Sequence, residues 1–244
     1  MKILGCTIEA RMSSSRLPGK VMMKVNGRSV LDLMISRIRL VPEIGKIVIA
    51  TTTNESDDVI VAEAVKLGVG FFRGSEVDVL SRVLGAIFEN DFEEFVALTG
   101  DCPLIDPEII SNTIKQFNKG NSDYISNALV RSYPDGMDTQ VLTRKALERS
   151  SKLTTDPVER EHVTLHICRN PEIFKVQNLL APKELFWPKL GLTLDQIEDW
   201  DLIRNIFDYF WPRLDFSCRE ILEYLKKNPT LLSMNASVNR KGDQ

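Results

Sequence analysis

Short apolar runs that alternate with helical periodicities constrain this chain more than any other feature. Ile3–Ile8, Lys46–Thr51, Val69–Phe72 and Glu94–Leu98 each predict a buried strand. Between the first two, Val30, Leu31, Met34, Ile35 and Ile38 recur at helical spacing. A second helix is expected from a cap at Asn54 or Ser56 through Val65 and Leu67 to a stop at Gly68. A third follows Ser75, with acidic residues in its first turn, and runs to about Phe88. Strand and helix repeating at such short intervals predict an α/β fold, a mostly parallel sheet with helices on both faces. Ligands of such sheets sit outside the carboxyl ends of the strands.

The loop after the first strand, Ala10 to Lys20, holds Ser13, Ser14, Ser15, the Pro18-Gly19 pair and three cations, Arg11, Arg16 and Lys20. Backbone N–H groups, hydroxyls and cations leaving a strand end together can converge on one anion, here read as a nucleotide triphosphate. Arg11, Arg16, Lys20, Lys24 and Arg28 follow one another with no acid between, in a chain of net charge -3. A local cationic loop on an acidic protein suits a small anion and argues against nucleic acid as partner. The 244 residues fit one domain. The four cysteines lie far apart without a C-x-x-C pair, as reduced thiols do. The first apolar run is too short for a signal-peptide core, and no segment approaches a membrane span, so a cytoplasmic location is expected.

Beyond a helix over Pro107–Phe117 the pattern changes. Asp123–Ser126 and Thr139–Leu142 are strand-like and flank turn chemistry at Ser132–Asp138. One helix is expected from Asp156-Pro157 through Glu159, His162 and His166 to Asn170, before a strand-like Ile173–Asn178. Residues 120–190 are read as a small lobe inserted over the crevice, carrying acceptor and dimer contacts. A further strand, Gly191–Leu194, ends at Asp195, followed by helices over Ile197–Phe210 and Ser217–Lys226 and a loose tail over 234–244.

Two aspartates stand at strand ends. Asp101 follows the fourth strand in a Gly-Asp-Cys-Pro turn, where a carboxylate can hold Mg²⁺ against phosphate oxygens. It could equally form an Asx-turn capping the next helix. Asp195 could share the metal or cap the helix that follows. Arg73 ends the third strand and reads as a nucleotide contact or as a solvated loop arginine. His162 and His166 have the spacing of a zinc helix but lack the glutamate of that motif, and His162 reads as a contact to a polar substrate. Ser-His-Asp, P-loop and dinucleotide fingerprints are absent.

Glu9 to Lys20, Phe72–Ser75, Thr99–Asp106, Tyr133–Gly136, Glu159–Val163 and Thr193–Asp195 with Glu198-Asp199 occur in an order that resembles the cytidylyltransferase family, which contains the CMP-3-deoxy-manno-octulosonate and CMP-acylneuraminate synthetases. The branch named for spore coat polysaccharide biosynthesis protein F is the nearest likeness. The resemblance implies a glycosyltransferase-A-like (Rossmann-like) three-layer sandwich, CTP and Mg²⁺ as reactants, a sugar acceptor and pyrophosphate release. It maps the nucleotide loop onto Ala10, Arg11, Ser13, Ser14, Ser15, Arg16 and Lys20, and the metal onto Asp101 and Asp195. Catalysis falls to Arg16, Lys20 and Asp101. For the acceptor, Arg131, Tyr133, Asp138, Arg160 and His162 are the candidates, and the assembly expected is a homodimer. The chain departs from that branch at Glu9 and Ser13, where glutamine and glycine are usual. A metal-dependent glycosyltransferase is the alternative, but Asp101-Cys102-Pro103 lacks the second aspartate of a D-x-D pair. A non-catalytic nucleotide-binding protein is the third reading.

Overall fold

The computed structural model describes residues 4–238. Ile3 of the expected first strand and residues 239–244 of the expected tail lie outside them. β1 (Leu4–Glu9) leads through the basic loop to a hairpin of β2 (Lys24–Val25) and β3 (Arg28–Ser29). Asn26 and Gly27 turn the hairpin with positive φ at both positions, as a two-residue turn between twisted strands requires. α1 (Val30–Ile38), capped by the Ser29 hydroxyl, precedes β4 (Ile44–Thr52), α2 (Asp58–Leu67), β5 (Gly70–Gly74), α3 (Val79–Glu89), β6 (Glu94–Thr99) and α4 (Pro107–Lys119). The second half carries β7 (Tyr124–Ser126), β8 (Gln140–Thr143), α5 (Arg144–Leu153), α6 (Pro157–Glu161), α7 (Leu165–Arg169), β9 (Val176–Asn178), α8 (Ile197–Phe210), α9 (Cys218–Lys227) and α10 (Pro229–Leu232).

The main sheet has seven strands in the order β5-β4-β1-β6-β8-β7-β9. β5, β4, β1 and β6 run parallel, while β8 is antiparallel to both β6 and β7. The alternation of strands and helices therefore yields the mostly parallel α/β sheet it predicted. Glu9 stands opposite Ala50 and Thr99, so the carboxyl ends of these strands are level. Segment 120–190 contributes β7, β8 and β9 to the far side of the same sheet.

Each face of the sheet has its own core. Cys6, Ile8, Ile49 and Leu98 pack on Met34 and Ile35 of α1, Ile60 of α2 and Ile110 of α4. Val48, Ala50, Phe95 and Ala97 pack on Leu80 and Val83 of α3 and Leu147 of α5. A third cluster joins the outer side of α1 through Leu33 to α8 and α9 through Ile203, Phe207 and Ile221. Fully burying one such side chain is worth roughly 1.5–3 kcal/mol, which makes these clusters the main driving force. No helix of the described residues is long and apolar enough to cross a membrane.

Four local expectations are corrected, and one helix appears where none was expected. Neither Asn54 nor Ser56 caps α2: a 3₁₀ turn, Glu55–Asp57, intervenes, and the Asn54 amide donates to Glu76 instead. A helix forms over Arg144–Leu153, where few apolar residues marked one, because Thr143 caps it and Ala146 and Leu147 reach the core. The single helix expected through His162 is two, broken where Val163 takes a φ of 23°. Gly191–Leu194 makes one bridge, Gly191 to Asp135, because other backbone groups of the run bond Asp101 and the side chains of Asn235 and Lys20. Within the expected tail, Asn235 is buried and donates to the Gly191 carbonyl and Asp199 at 3.0 and 2.8 Å.

Candidate functional site

The basic loop is built to face the carboxyl end of β1. Gly19, at a φ of 73°, sends its N–H back to the Met12 carbonyl at 2.8 Å and closes the loop on itself. Asp57, buried behind it, accepts from the Met12 N–H at 2.8 Å and from Thr51 and Thr52. Burial works against the charge of Asp57, but these hydrogen bonds outweigh it and hold its carboxyl below the usual range. Glu76 secures the outer side: Ser13 donates to it, and Arg11 reaches its backbone carbonyl at 3.3 Å. Ser14 accepts from the Leu17 N–H at 3.5 Å, while Ser15 and Arg16 are exposed. Ala10 is buried under the loop.

Lys20 turns inward. Its ammonium donates to Asp101 Oδ2 at 2.8 Å, to the Leu194 carbonyl at 2.7 Å and to Asp195 Oδ1 at 3.1 Å. Arg16 reaches the same Asp195 oxygen at 2.6 Å. Burial alone would lower the Lys20 pKa, yet Asp101 and Asp195 together raise it above the ordinary lysine value. Burial likewise opposes ionisation of Asp101, and the Lys20 charge and hydrogen bond reverse that, keeping the carboxylate ionised.

Both capping alternatives fall away. Asp106, not Asp101, caps α4 by accepting from the Glu108 N–H at 2.7 Å. Gln196 caps α8 in a reciprocal capping box with Asp199, whose carboxylate also takes the Asp195 N–H at 3.0 Å. The side chains of Asp101 and Asp195 are thereby free to meet at Lys20. The Leu194 N–H bonds the Asp101 carbonyl at 2.8 Å, which brings the two segments together.

Glu9, Ala10, Arg11, Lys20, Val21, Thr99, Gly100 and Asp101 line a crevice of about 140 Å³. Burial lifts the Glu9 carboxyl to about 7; Arg82 opposes this, Asp101 adds to it, and Arg11 opposes it. Arg82, Glu76 and Asp57 were not marked as site residues by sequence, and Glu76, expected in the first turn of α3, precedes that helix. Asp78 and Arg82 look there like an i,i+4 pair, but Arg82 is buried and donates to the backbone of Ser75 and Glu76.

The acceptor candidates separate. Arg131 pairs with Asp138 at 2.5 Å and with Asp135 at 3.5 Å. Burial raises the Asp138 carboxyl to about 6; Arg131 opposes this, and Asp135 and Asp101 add to it, so Asp138 feels the crevice charge. Tyr133 is buried in the third cluster. Arg160 grips Asp78 at the start of α3 through two nitrogens at 3.0 and 2.7 Å. His162 is exposed between α6 and α7. Arg73 spends its guanidinium on Asp58 at 2.6 Å and on the Thr52 and Asn54 carbonyls.

Asp101 and Asp195 offer hard oxygen donors converging on one point, a donor set that fits a Mg²⁺-like ion completed by phosphate oxygens and water. Among the described residues, no group of three or more His, Cys, Asp or Glu side chains could hold a metal alone.

Residues 6–205 match the model of the cytidylyltransferase family. The spore coat polysaccharide biosynthesis protein SpsF of Bacillus subtilis is 34% identical over 97% of this chain and 97% of its own. A cytidylyltransferase structure from Leptospira borgpetersenii superposes with a TM-score of 0.90 at 33% identity, covering 98% of this chain and 100% of that one. A CMP:2-keto-3-deoxy-manno-octonic acid synthetase solved with CTP shares the fold, with a TM-score of 0.60 at 16% identity over 86% of this chain and 99% of that one. The chain is a nucleotidyltransferase and belongs to the cytidylyltransferase family.

Proposed function

We propose that the protein transfers CMP from CTP to a sugar, an acidic ulosonic acid or a related hydroxy or phospho compound, for surface polysaccharide synthesis. One observation carries this reading. Two carboxylates, Asp101 and Asp195, meet at Lys20 beside an exposed basic loop, the arrangement a metal-assisted triphosphate site requires. A fold relative was solved with CTP, and the SpsF name points to polysaccharide.

In this mechanism Ala10 to Arg16 wrap the triphosphate, and Arg11 and Arg16 neutralise its charge. Lys20 follows the β- and γ-phosphates. Asp101 and Asp195 would hold Mg²⁺, which when bound supplies Lewis-acid polarisation of the α-phosphate. The acceptor oxygen bonds the α-phosphorus; a hydroxyl passes its proton to solvent, and a phosphoryl oxygen has none to lose. The bond to the bridging oxygen breaks, and pyrophosphate leaves with the electron pair. Arg131 and Asp138 are assigned to the acceptor, supported by the electrostatic coupling of Asp138 to Asp101. His162 is assigned to an outer contact of the acceptor, Arg160 and buried Tyr133 to supporting its pocket from behind, and Arg73 to holding the loop after β4 beside the nucleotide. Exposed Leu129, Val130, Leu180 and Phe186 in segment 120–190 support a homodimer through that face. A cytoplasmic location completes the reading.

Pyrophosphate release is the test, measured with CTP, UTP, ATP and GTP against ulosonic acids and sugar phosphates. Release confined to CTP with one acceptor class is expected. Equal release from all four nucleotides would overturn the nucleotide assignment.

A further inference from the structure

Lys20 does more than a lysine waiting for phosphate needs to do. An ammonium has three donors, and all three are spent inside the protein, on Asp101, Leu194 and Asp195. The Lys20 side chain is only 10% exposed and those of Asp101 and Asp195 are 23% and 8% exposed, so solvent screens these pairs weakly. Arg16 adds a second cation on the Asp195 oxygen that Lys20 uses. A fixed positive charge therefore already stands where the two carboxylates converge. Left alone, two such carboxylates would repel each other and be costly to bury. A divalent ion entering here must displace an ammonium, and it gains only two protein carboxylates, since no third acidic, histidine or cysteine ligand joins them among the described residues.

Resting on the reading above, we propose that Lys20 is an internal counter-ion that competes with a divalent cation for Asp101 and Asp195 and must leave both carboxylates before the cation can enter. Its consequence is coupled loading. Incoming phosphates offer Lys20 and Arg16 new partners and offer the cation its missing oxygens, so nucleotide and cation favour each other's binding. The Leu194 carbonyl gives Lys20 a defined resting position to which it returns when the nucleotide leaves. No covalent step is involved; the ammonium exchanges carboxylate oxygens for phosphate oxygens.

The test is Mn²⁺ binding to the full-length, nucleotide-free protein, read by the electron paramagnetic resonance signal of free Mn²⁺ and by thermal melting. Lys20→Met is expected to bind Mn²⁺ at least about tenfold more tightly than the wild type, because one competing ammonium is gone. Mn²⁺ should then raise the melting temperature of Lys20→Met while leaving that of the wild type unmoved. Lys20→Arg, which keeps the charge, should stay weak, and adding Asp101→Asn to Lys20→Met should remove the gain. Equal or weaker Mn²⁺ binding by a folded Lys20→Met overturns the proposal, leaving Lys20 a brace between loop and strand. If Lys20→Met does not fold, Lys20→Gln decides: it keeps a polar group for the Leu194 carbonyl but carries no charge, and unchanged Mn²⁺ affinity in that folded variant overturns the proposal equally. No nucleotide enters this titration. Its failure therefore leaves the CTP reading standing, and absence of pyrophosphate release would sink that reading without touching the Mn²⁺ result.

Discussion

Glu9 is the residue whose charge the crevice controls most openly. Its folded value of about 7 lies above the ordinary 4.5, so the folded protein keeps a proton that the unfolded chain has given up. Stability tied to this group is therefore fully present below 4.5 and is lost as pH rises through about 7. Glu9→Gln carries no such penalty. It is expected to match the wild type near pH 4.5 and to exceed it at pH 8 by on the order of 2 kcal/mol, measured by urea unfolding. An equal difference at both pH values would mean that Glu9 does not titrate differently on folding. Asp101 has the opposite balance, held ionised by Lys20 against the cost of burial. Asp101→Asn removes the charge with little change of shape. Pyrophosphate release is expected to fall by about 10²–10³, with the circular dichroism spectrum unchanged. Retained turnover would move the metal-binding role elsewhere.

At the scale of elements, the site exists because neighbouring residues relieve its aspartates of structural work. Asp106 caps α4, while Gln196 and Asp199 cap α8. Sequence alone leaves each aspartate in a run able to do either job, and the register of the helix start decides which does. Gly136 sets a second junction. It takes a φ of 99°, and a Cβ there would lie 2.6 Å from the Leu192 carbonyl carbon. Asp135 on the same turn exchanges backbone hydrogen bonds with Leu190 and Leu192 at 2.9 and 2.7 Å. This junction seats the strand-like run that ends at Asp195. Gly136→Ala combines a left-handed backbone with overpacking. A loss of about 2–4 kcal/mol in thermal or urea unfolding is expected, together with weaker pyrophosphate release. A variant as stable as the wild type would show that the junction can shift freely.

Across the whole molecule, Arg37 ties the sheet domain to its C-terminal helices. It is fully buried, and its guanidinium donates to the carbonyls of Leu104, Ile105, Leu214 and Phe216 at 2.6–3.3 Å. Burial lowers its pKa to about 10, which still leaves it charged at neutral pH. Arg37→Met would leave four carbonyls without their donor at the seam between α1 and α9. About 3–5 kcal/mol of stability should be lost, seen as a large fall in melting temperature; a fall no greater than that of a surface substitution would refute this role. Nothing in the sequence marked Arg37, which sits in a helix whose apolar stripe alone was legible. The parallel sheet, the basic loop and the positions of Asp101 and Asp195 after apolar runs were legible, because local sterics and hydrophobic periodicity act over a few residues. The break at Val163, the role of Arg160 and the partners of Lys20 were not. Lys20 lies 81 residues from Asp101 and 175 from Asp195. The sequence by itself determined which segments become strands and where a basic loop would leave them. Only the tertiary structure decided that Lys20 neutralises both aspartates, because which charge meets which in a low-dielectric crevice depends on how distant segments pack.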